Sequence, residues 1–173
     1  HMFFPEDRPP TVQHMILAES KEVRQEALDK LQPMQKEDFA GIFEAMGERP
    51  VTIRLLHPPL HEFLPERDEL IEEVARLEAT EGDKEELQEK QDLLNSINRL
   101  QEMNPMLGNR GCRLGISYPE IYEMQVKAIF EAACEVNDSG IDVEPEVMIP
   151  LVASEQELER LPEVAETAAQ AVL

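Results

Sequence analysis

The sequence predicts an α/β fold with a parallel sheet, and three observations carry that expectation. Val51-Thr-Ile-Arg-Leu-Leu56 is β-branched and apolar, follows Gly47 as a helix stop, and reads as a strand. Glu146-Val-Met-Ile-Pro-Leu-Val152 is an apolar run of the kind buried on both faces of a parallel sheet. Helical patterns lie between these two and after the second, and strands alternating with helices argue for parallel pairing. Gly111-Cys-Arg-Leu-Gly-Ile116 is a shorter candidate strand, interrupted by glycines.

The helices follow from caps and spacing. Ser20 is placed to cap a helix with Val23, Ala27, Leu28 and Leu31 on one face, and Phe39, Ile42, Phe43 and Met46 form the inward stripe of the next. Ser117-Tyr-Pro-Glu120 reads as a capping box opening a helix with Ile121, Met124, Ala128 and Ala132. Ser154-Glu-Gln-Glu157 reads as a second, before Leu158, Leu161, Val164 and Ala168. The stretch from Glu62 to Met103 has no strand signal. Leu70, Val74 and Leu77 mark one helix there and Leu87, Leu94, Ile97 and Leu100 another, with Gly82 between, so an antiparallel helical hairpin is inserted between two strands. Its charged faces read as solvated surface.

The chain has 173 residues, enough for one domain with a core but short of the roughly 250 of an ordinary eightfold α/β barrel. Its net charge of −21 repels phosphate backbones and anionic lipid, which argues against nucleic-acid or membrane-surface partners. No apolar run approaches a membrane span and the N-terminus lacks a signal-peptide pattern. Cys112 and Cys134 have no metal-type spacing and read as buried, reduced thiols. The Pro58-Pro59 pair between His57 and His61 forbids the helix that would bring those two rings to one metal. No Ser-His-Asp pattern, phosphate-binding P-loop or CxxC motif occurs, and Glu44 and Glu62 are too generic to nominate as acid–base groups.

Two segments stand above this background. In Thr52-Ile-Arg-Leu-Leu-His-Pro-Pro-Leu-His-Glu-Phe63, Arg54 lies inside an apolar strand, where a guanidinium is expensive to bury unless it meets an anion. That anion is either an internal carboxylate or a ligand phosphate. The two prolines force an extended exit, leaving a loop over the strand's C-terminal end, where α/β sites are built. In Asn104-Pro-Met-Leu-Gly-Asn-Arg-Gly-Cys-Arg-Leu-Gly-Ile116, glycines flank Arg110 and leave its planar fork open to phosphate or carboxylate. Arg110 and Arg113 also sit in a stretch without acids.

Together the two segments resemble the pyruvate, phosphate dikinase family. Its members read TIRLLDPPLHEFLP and then, after a helical insertion, NPMLGHRGCRLGI-YPEI-MQ. This chain reads TIRLLHPPLHEFLP from Thr52 and NPMLGNRGCRLGISYPEIYEMQ from Asn104. FAGIFEAM from Phe39 and the EVMIPLV segment also match, and the opening His-Met-Phe-Phe resembles the end of the family's RTEHMFF, so His1-Met2 reads as native as readily as a cloning remnant. The resemblance covers essentially the whole chain. Phosphoenolpyruvate synthase and enzyme I of the sugar phosphotransferase system share the barrel but differ after the TIR-type strand.

The resemblance implies a (β/α)8 TIM barrel that binds phosphoenolpyruvate or pyruvate with Mg2+. A phosphohistidine on a swivelling domain, charged by an ATP-grasp domain, exchanges a phosphoryl group there, so that ATP, phosphate and pyruvate become AMP, pyrophosphate and phosphoenolpyruvate. By motif position Arg54 and Arg110 bind the phosphoryl group, with Arg113 a supporting charge. Two residues depart from the pattern: His57 stands in place of the usual Asp, and Asn109 in place of the usual His. The family's metal-binding acids, acid–base cysteine and phosphohistidine have no counterpart among these residues, so no catalytic residue and no metal ligand is assigned in the chain and no cofactor is expected for it alone. The expectation is a partial barrel, roughly half, split over residues 1–61, a hairpin insertion at 62–103, and 104–173. It is expected to be inactive by itself, cytoplasmic, and homodimeric in its parent enzyme. The rival reading is a non-catalytic half-barrel that works as an assembly module through its hairpin and open sheet edges.

Overall fold

A computed structural model describes residues 8–80, 83–100 and 108–173. His1-Met2, the turn at Gly82 and residues 104–107 of the second motif lie outside the described residues. The order is α1 (Pro9–Leu17), α2 (Lys21–Met46), β1 (Val51–Arg54), a 3-10 turn at Leu60–Phe63, α3 (Arg67–Ala79), α4 (Lys84–Leu100), α5 (Cys112–Ser117), α6 (Pro119–Asp138), β2 (Pro145–Met148) and α7 (Glu155–Gln170). The fold is mixed α/β, mostly helical, with a parallel β1–β2 sheet in the register Val51↔Pro145 to Arg54↔Met148.

The core forms where α2 and α6 pack. Leu28, Leu31, Phe39 and Phe43 of α2 and Ile121, Val126, Ile129 and Ala132 of α6 are buried, joined by Leu55 and Leu56 just past β1. One buried ion pair crosses the α2–α6 region: Arg24 Nη1 donates to Glu120 Oε1 at 2.9 Å, while Nη2 donates to the Ala18 carbonyl and the guanidinium lies 4.3 Å from the centre of the Tyr118 ring. Arg8, at the start of α1, pairs with Asp38 of α2.

Several expectations are met locally. The Ser20 hydroxyl accepts from Val23 N, and Ser154 and Glu157 form the reciprocal capping box. The hairpin is present and antiparallel: Arg67 bonds Asn98 at one end, and Glu73 with Lys90 and Glu78 with Gln91 bridge the other.

Others are corrected. The two helices expected between Ser20 and Gly47 are one helix that runs through Pro33, and Ile42 and Met46 of the supposed inward stripe are exposed. Residues 112–117 form a helical turn and not a strand; Gly111 at positive φ reverses the chain, and Cys112 N then donates to the Pro150 carbonyl. Ser117 does not cap α6, which begins after Tyr118 without a side-chain cap; Glu120, free of that duty, turns inward to Arg24. The second strand stops at Met148 and is half-buried on one face and exposed on the other, with Met148 47% exposed. Pro150 has no N–H to extend a ladder, and Leu151 turns the chain at φ 61°. Both cysteines are free, Cys112 buried and Cys134 half-buried.

Candidate anion site at the end of the sheet

Three stretches of chain meet at the C-terminal end of the two strands. The first is the exit of β1. Alternation along the strand buries Ile53 and turns Thr52 and Arg54 outward, so the Arg54 side chain is exposed. The expectation of a charge sunk in an apolar strand is therefore corrected: the strand's neighbours are buried, and the guanidinium stands clear of them.

The three residues after Arg54 are each held by a named bond. Leu55 N donates to the Met148 carbonyl at 3.0 Å, continuing the sheet by one bond. Leu56 N donates to Gln125 Oε1 at 2.8 Å, and the Tyr122 hydroxyl donates to the Leu56 carbonyl at 3.1 Å. The His57 carbonyl accepts from Gly111 N at 3.2 Å. Burial pushes the Tyr122 phenol far above its usual range, which keeps it a donor. Gln125 is itself held through Nε2 to Gln35 Oε1 at 3.4 Å, so one polar chain from α2 through α6 fixes the loop that carries His57. Gln125→Met is expected to leave the buried Leu56 N–H without an acceptor and to cost about 1–3 kcal/mol, read as a lowered midpoint in urea. An unchanged midpoint would remove this bracing role.

The second stretch is Gly108 to Gly111, and the third is Pro150-Leu151. Gly111 has φ +57°, and a Cβ there would lie 2.9 Å from the Pro150 carbonyl oxygen and 3.0 Å from Leu151 Cβ. Only glycine lets the loop pass this close to the turn after β2. Arg110 Nη2 lies 3.2 Å from Nδ1 and 3.4 Å from Nε2 of His57. A guanidinium has no acceptor, so where the two hydrogen-bond it is an imidazole nitrogen that accepts. Burial, then the charges of Arg110 and Arg54, hold His57 below the ordinary histidine range, with Glu62 opposing weakly. Arg110, from the far side of the whole hairpin in sequence, thus touches His57, and Arg54, three residues before His57, acts on the same ring through its charge. The signal for His57 lies in the sequence, as the residue replacing an acid between the two arginines, but its contact with Arg110 does not.

Arg113 faces elsewhere. Its Nη1 donates to the Gly108 carbonyl at 3.1 Å and its Nε lies 3.5 Å from Glu157 Oε1, so it braces the Arg110 loop against the start of α7. Glu157 also accepts from Ala153 N and Ser154 N, which with Arg113 hold its carboxyl below the usual range. Cys112 donates to the Leu151 carbonyl at 3.2 Å, and its thiol is pushed up by burial, which leaves it a packing residue.

Among the described residues no three His, Cys, Asp or Glu side chains converge as metal ligands. No described helix is long and apolar enough to cross a membrane. A groove of about 500 Å3 between α2, α6 and α7 is lined by Asp29, Glu120, Glu123 and Glu163 against Lys127, a charge balance unsuited to an anion.

A family model described as "PEP-utilising enzyme, PEP-binding domain" matches residues 1–173. The chain is 56% identical over 158 residues to pyruvate, phosphate dikinase 1, chloroplastic, of Arabidopsis thaliana, an alignment covering 91% of this chain and 16% of that protein. It is 52% identical over 174 residues to pyruvate, phosphate dikinase of Rhizobium meliloti (strain 1021), covering 100% and 18%, and 50% identical over 173 residues to pyruvate, phosphate dikinase 2 of Oryza sativa subsp. japonica, covering 99% and 19%. The chain therefore spans under a fifth of the length of these relatives. With the match running from the first residue to the last, the chain belongs to the PEP-binding-domain family of PEP-utilising enzymes.

Proposed function

We propose that this chain supplies the phosphoenolpyruvate/pyruvate site of a pyruvate, phosphate dikinase, with Arg54 and Arg110 clamping the phosphoryl group. The observation that carries the reading is that Arg110 reaches His57, three residues beyond Arg54, at the C-terminal end of a parallel sheet. Open α/β sheets bind ligands at that end. Two guanidinium groups there neutralise the charge of a phosphoryl oxygen cluster, and the braced loops hold them in place before the ligand arrives. Arg110 exchanges its contact with an imidazole for a charge-assisted contact with phosphate.

In this reading the two parallel strands belong to a (β/α)8 barrel. The exposed Met148, Leu151 and Val152 support it, since they offer an apolar surface beside β2 for further strands and helices. A swivelling phosphohistidine domain brings the phosphoryl group to the site and an ATP-grasp domain charges it, completing ATP, phosphate and pyruvate to AMP, pyrophosphate and phosphoenolpyruvate. Mg2+ ligands, the homodimer contact and a cytoplasmic setting belong to the same parent enzyme.

The test is a phosphoenolpyruvate titration of the chain beside Arg54→Ala and Arg110→Ala. Losing a hydrogen bond to a charged partner is worth about 1.5–3 kcal/mol, so each variant is expected to bind about 10- to 150-fold more weakly with an unchanged far-ultraviolet circular dichroism spectrum. Equal affinities for all three proteins would remove the clamp.

A further inference from the structure

Burial and the neighbouring arginines disfavour the charged form of the His57 ring. Arg110 from the Gly108–Gly111 loop and Arg54 from β1 face it with positive charge, and among the described residues Glu62 from the 3-10 turn opposes them. A dianion seated between those arginines cancels their field at the ring and puts acceptor oxygens in front of it. The ring then gains from being an imidazolium, by attraction and by a second N–H to donate.

We propose that His57 is a third anion-binding residue of this site, taking up one proton as a phosphate group docks between Arg54 and Arg110. The proposal rests on the clamp described above and goes beyond it. The proton comes from solvent and settles on the ring nitrogen that accepts from Arg110, which leaves both ring N–H groups as donors. The bond that breaks is the Arg110–His57 hydrogen bond, and the Arg110 Nη2–H turns to a ligand oxygen. The ligand class is a phosphate ester or another tetrahedral dianion. An aspartate at this position would do the reverse, holding the arginines when the site is empty and repelling the ligand when it fills.

Linkage fixes the sign. If binding takes up a proton, affinity rises as pH falls, by up to about tenfold per pH unit where uptake is complete. Phosphate esters themselves gain a proton near pH 6 and would blur this, so the probe is sulfate, a dianion throughout the range, with phosphoenolpyruvate alongside. The experiment is isothermal titration calorimetry of the chain and of His57→Asn between pH 6 and 8, in two buffers of different ionisation enthalpy. The wild type is expected to bind sulfate several-fold more tightly at pH 6 than at pH 8 with buffer-dependent proton uptake, and His57→Asn is expected to show neither. Sulfate binding in the wild type that is flat with pH, without proton uptake, would overturn the role of His57 and leave the arginine clamp standing. No binding of either anion at any pH would overturn the clamp and this role with it. Should His57→Asn fail to fold, the His57 ring is titrated in the isotopically labelled wild type by nuclear magnetic resonance; its pKa is expected to rise when sulfate saturates the site, and an unmoved value would overturn the proposal.

Discussion

Glu120→Ala is expected to lower the unfolding free energy by about 3–5 kcal/mol, a large share of the 5–15 kcal/mol typical of a domain. The Arg24 and Glu120 side chains are 10% and 5% exposed, and the bond between them is 2.9 Å. The guanidinium cannot shed its charge, so without its carboxylate it keeps only the Ala18 carbonyl and the Tyr118 ring face. Glu120 also lies in the first turn of α6, where a carboxylate complements the helix dipole, and that gain goes with it. Urea unfolding followed by circular dichroism reads the loss. The double variant Arg24→Met, Glu120→Leu removes both charges and keeps volume, and is expected to recover most of the stability. A single variant as stable as the wild type would show that the pair is not closed in solution.

Gly111→Ala is expected to destabilise the chain by about 2–6 kcal/mol and to weaken anion binding at the same time. Two effects add. The backbone at φ 57° and ψ −131° is poorly suited to a residue with a Cβ, at about 1–3 kcal/mol. The added methyl also meets the Pro150 carbonyl oxygen at 2.9 Å and Leu151 Cβ at 3.0 Å, overpacking worth another 1–3 kcal/mol or so. Gly47 separates the terms. It has nearly the same backbone, φ 60° and ψ −137°, with nothing within 4 Å of a built Cβ. Gly47→Ala thus measures the backbone effect alone, and the excess at Gly111 measures the crowding. Because Gly111 N holds the His57 carbonyl and follows Arg110 directly, only its variant is expected to change phosphoenolpyruvate affinity. Equal destabilisation at the two glycines, with binding intact, would remove the tight passage as a determinant of the site.

Much of this is legible in the sequence, and the parts that are not share a cause. Caps at Ser20 and Ser154, the hairpin's apolar spacing and the strand ahead of the double proline are local signals, and local physics realises them. The capping box at Ser117 fails because Glu120 has a stronger partner in Arg24, 96 residues earlier, which no local pattern encodes. Gly111–Ile116 reads as a strand because its apolar residues are too few to separate period 2 from a helical turn, and the deciding bonds run to His57 and Pro150. Arg54 and Arg110 stand out by shared motif context; the ring that Arg110 touches, and the glutamine and tyrosine of α6 that hold its loop, need coordinates. Gln125 and Tyr122 look like ordinary helix residues until Leu56 is seen to need both.

The antiparallel pairing of α3 with α4 bears on how this part of the chain tolerates change in length. The two arginines are positioned by bonds from α6, from the turn after β2 and between their own loops, while Glu73–Lys90 and Glu78–Gln91 near the hairpin's tip join one of its helices to the other. Closing a longer excursion between the same two end points adds only about 0.6 kcal/mol for each doubling of its length. The hairpin is thus a segment on which insertions, deletions or a grafted sequence are absorbed at its far end, with the spacing of the two guanidinium groups left as it is.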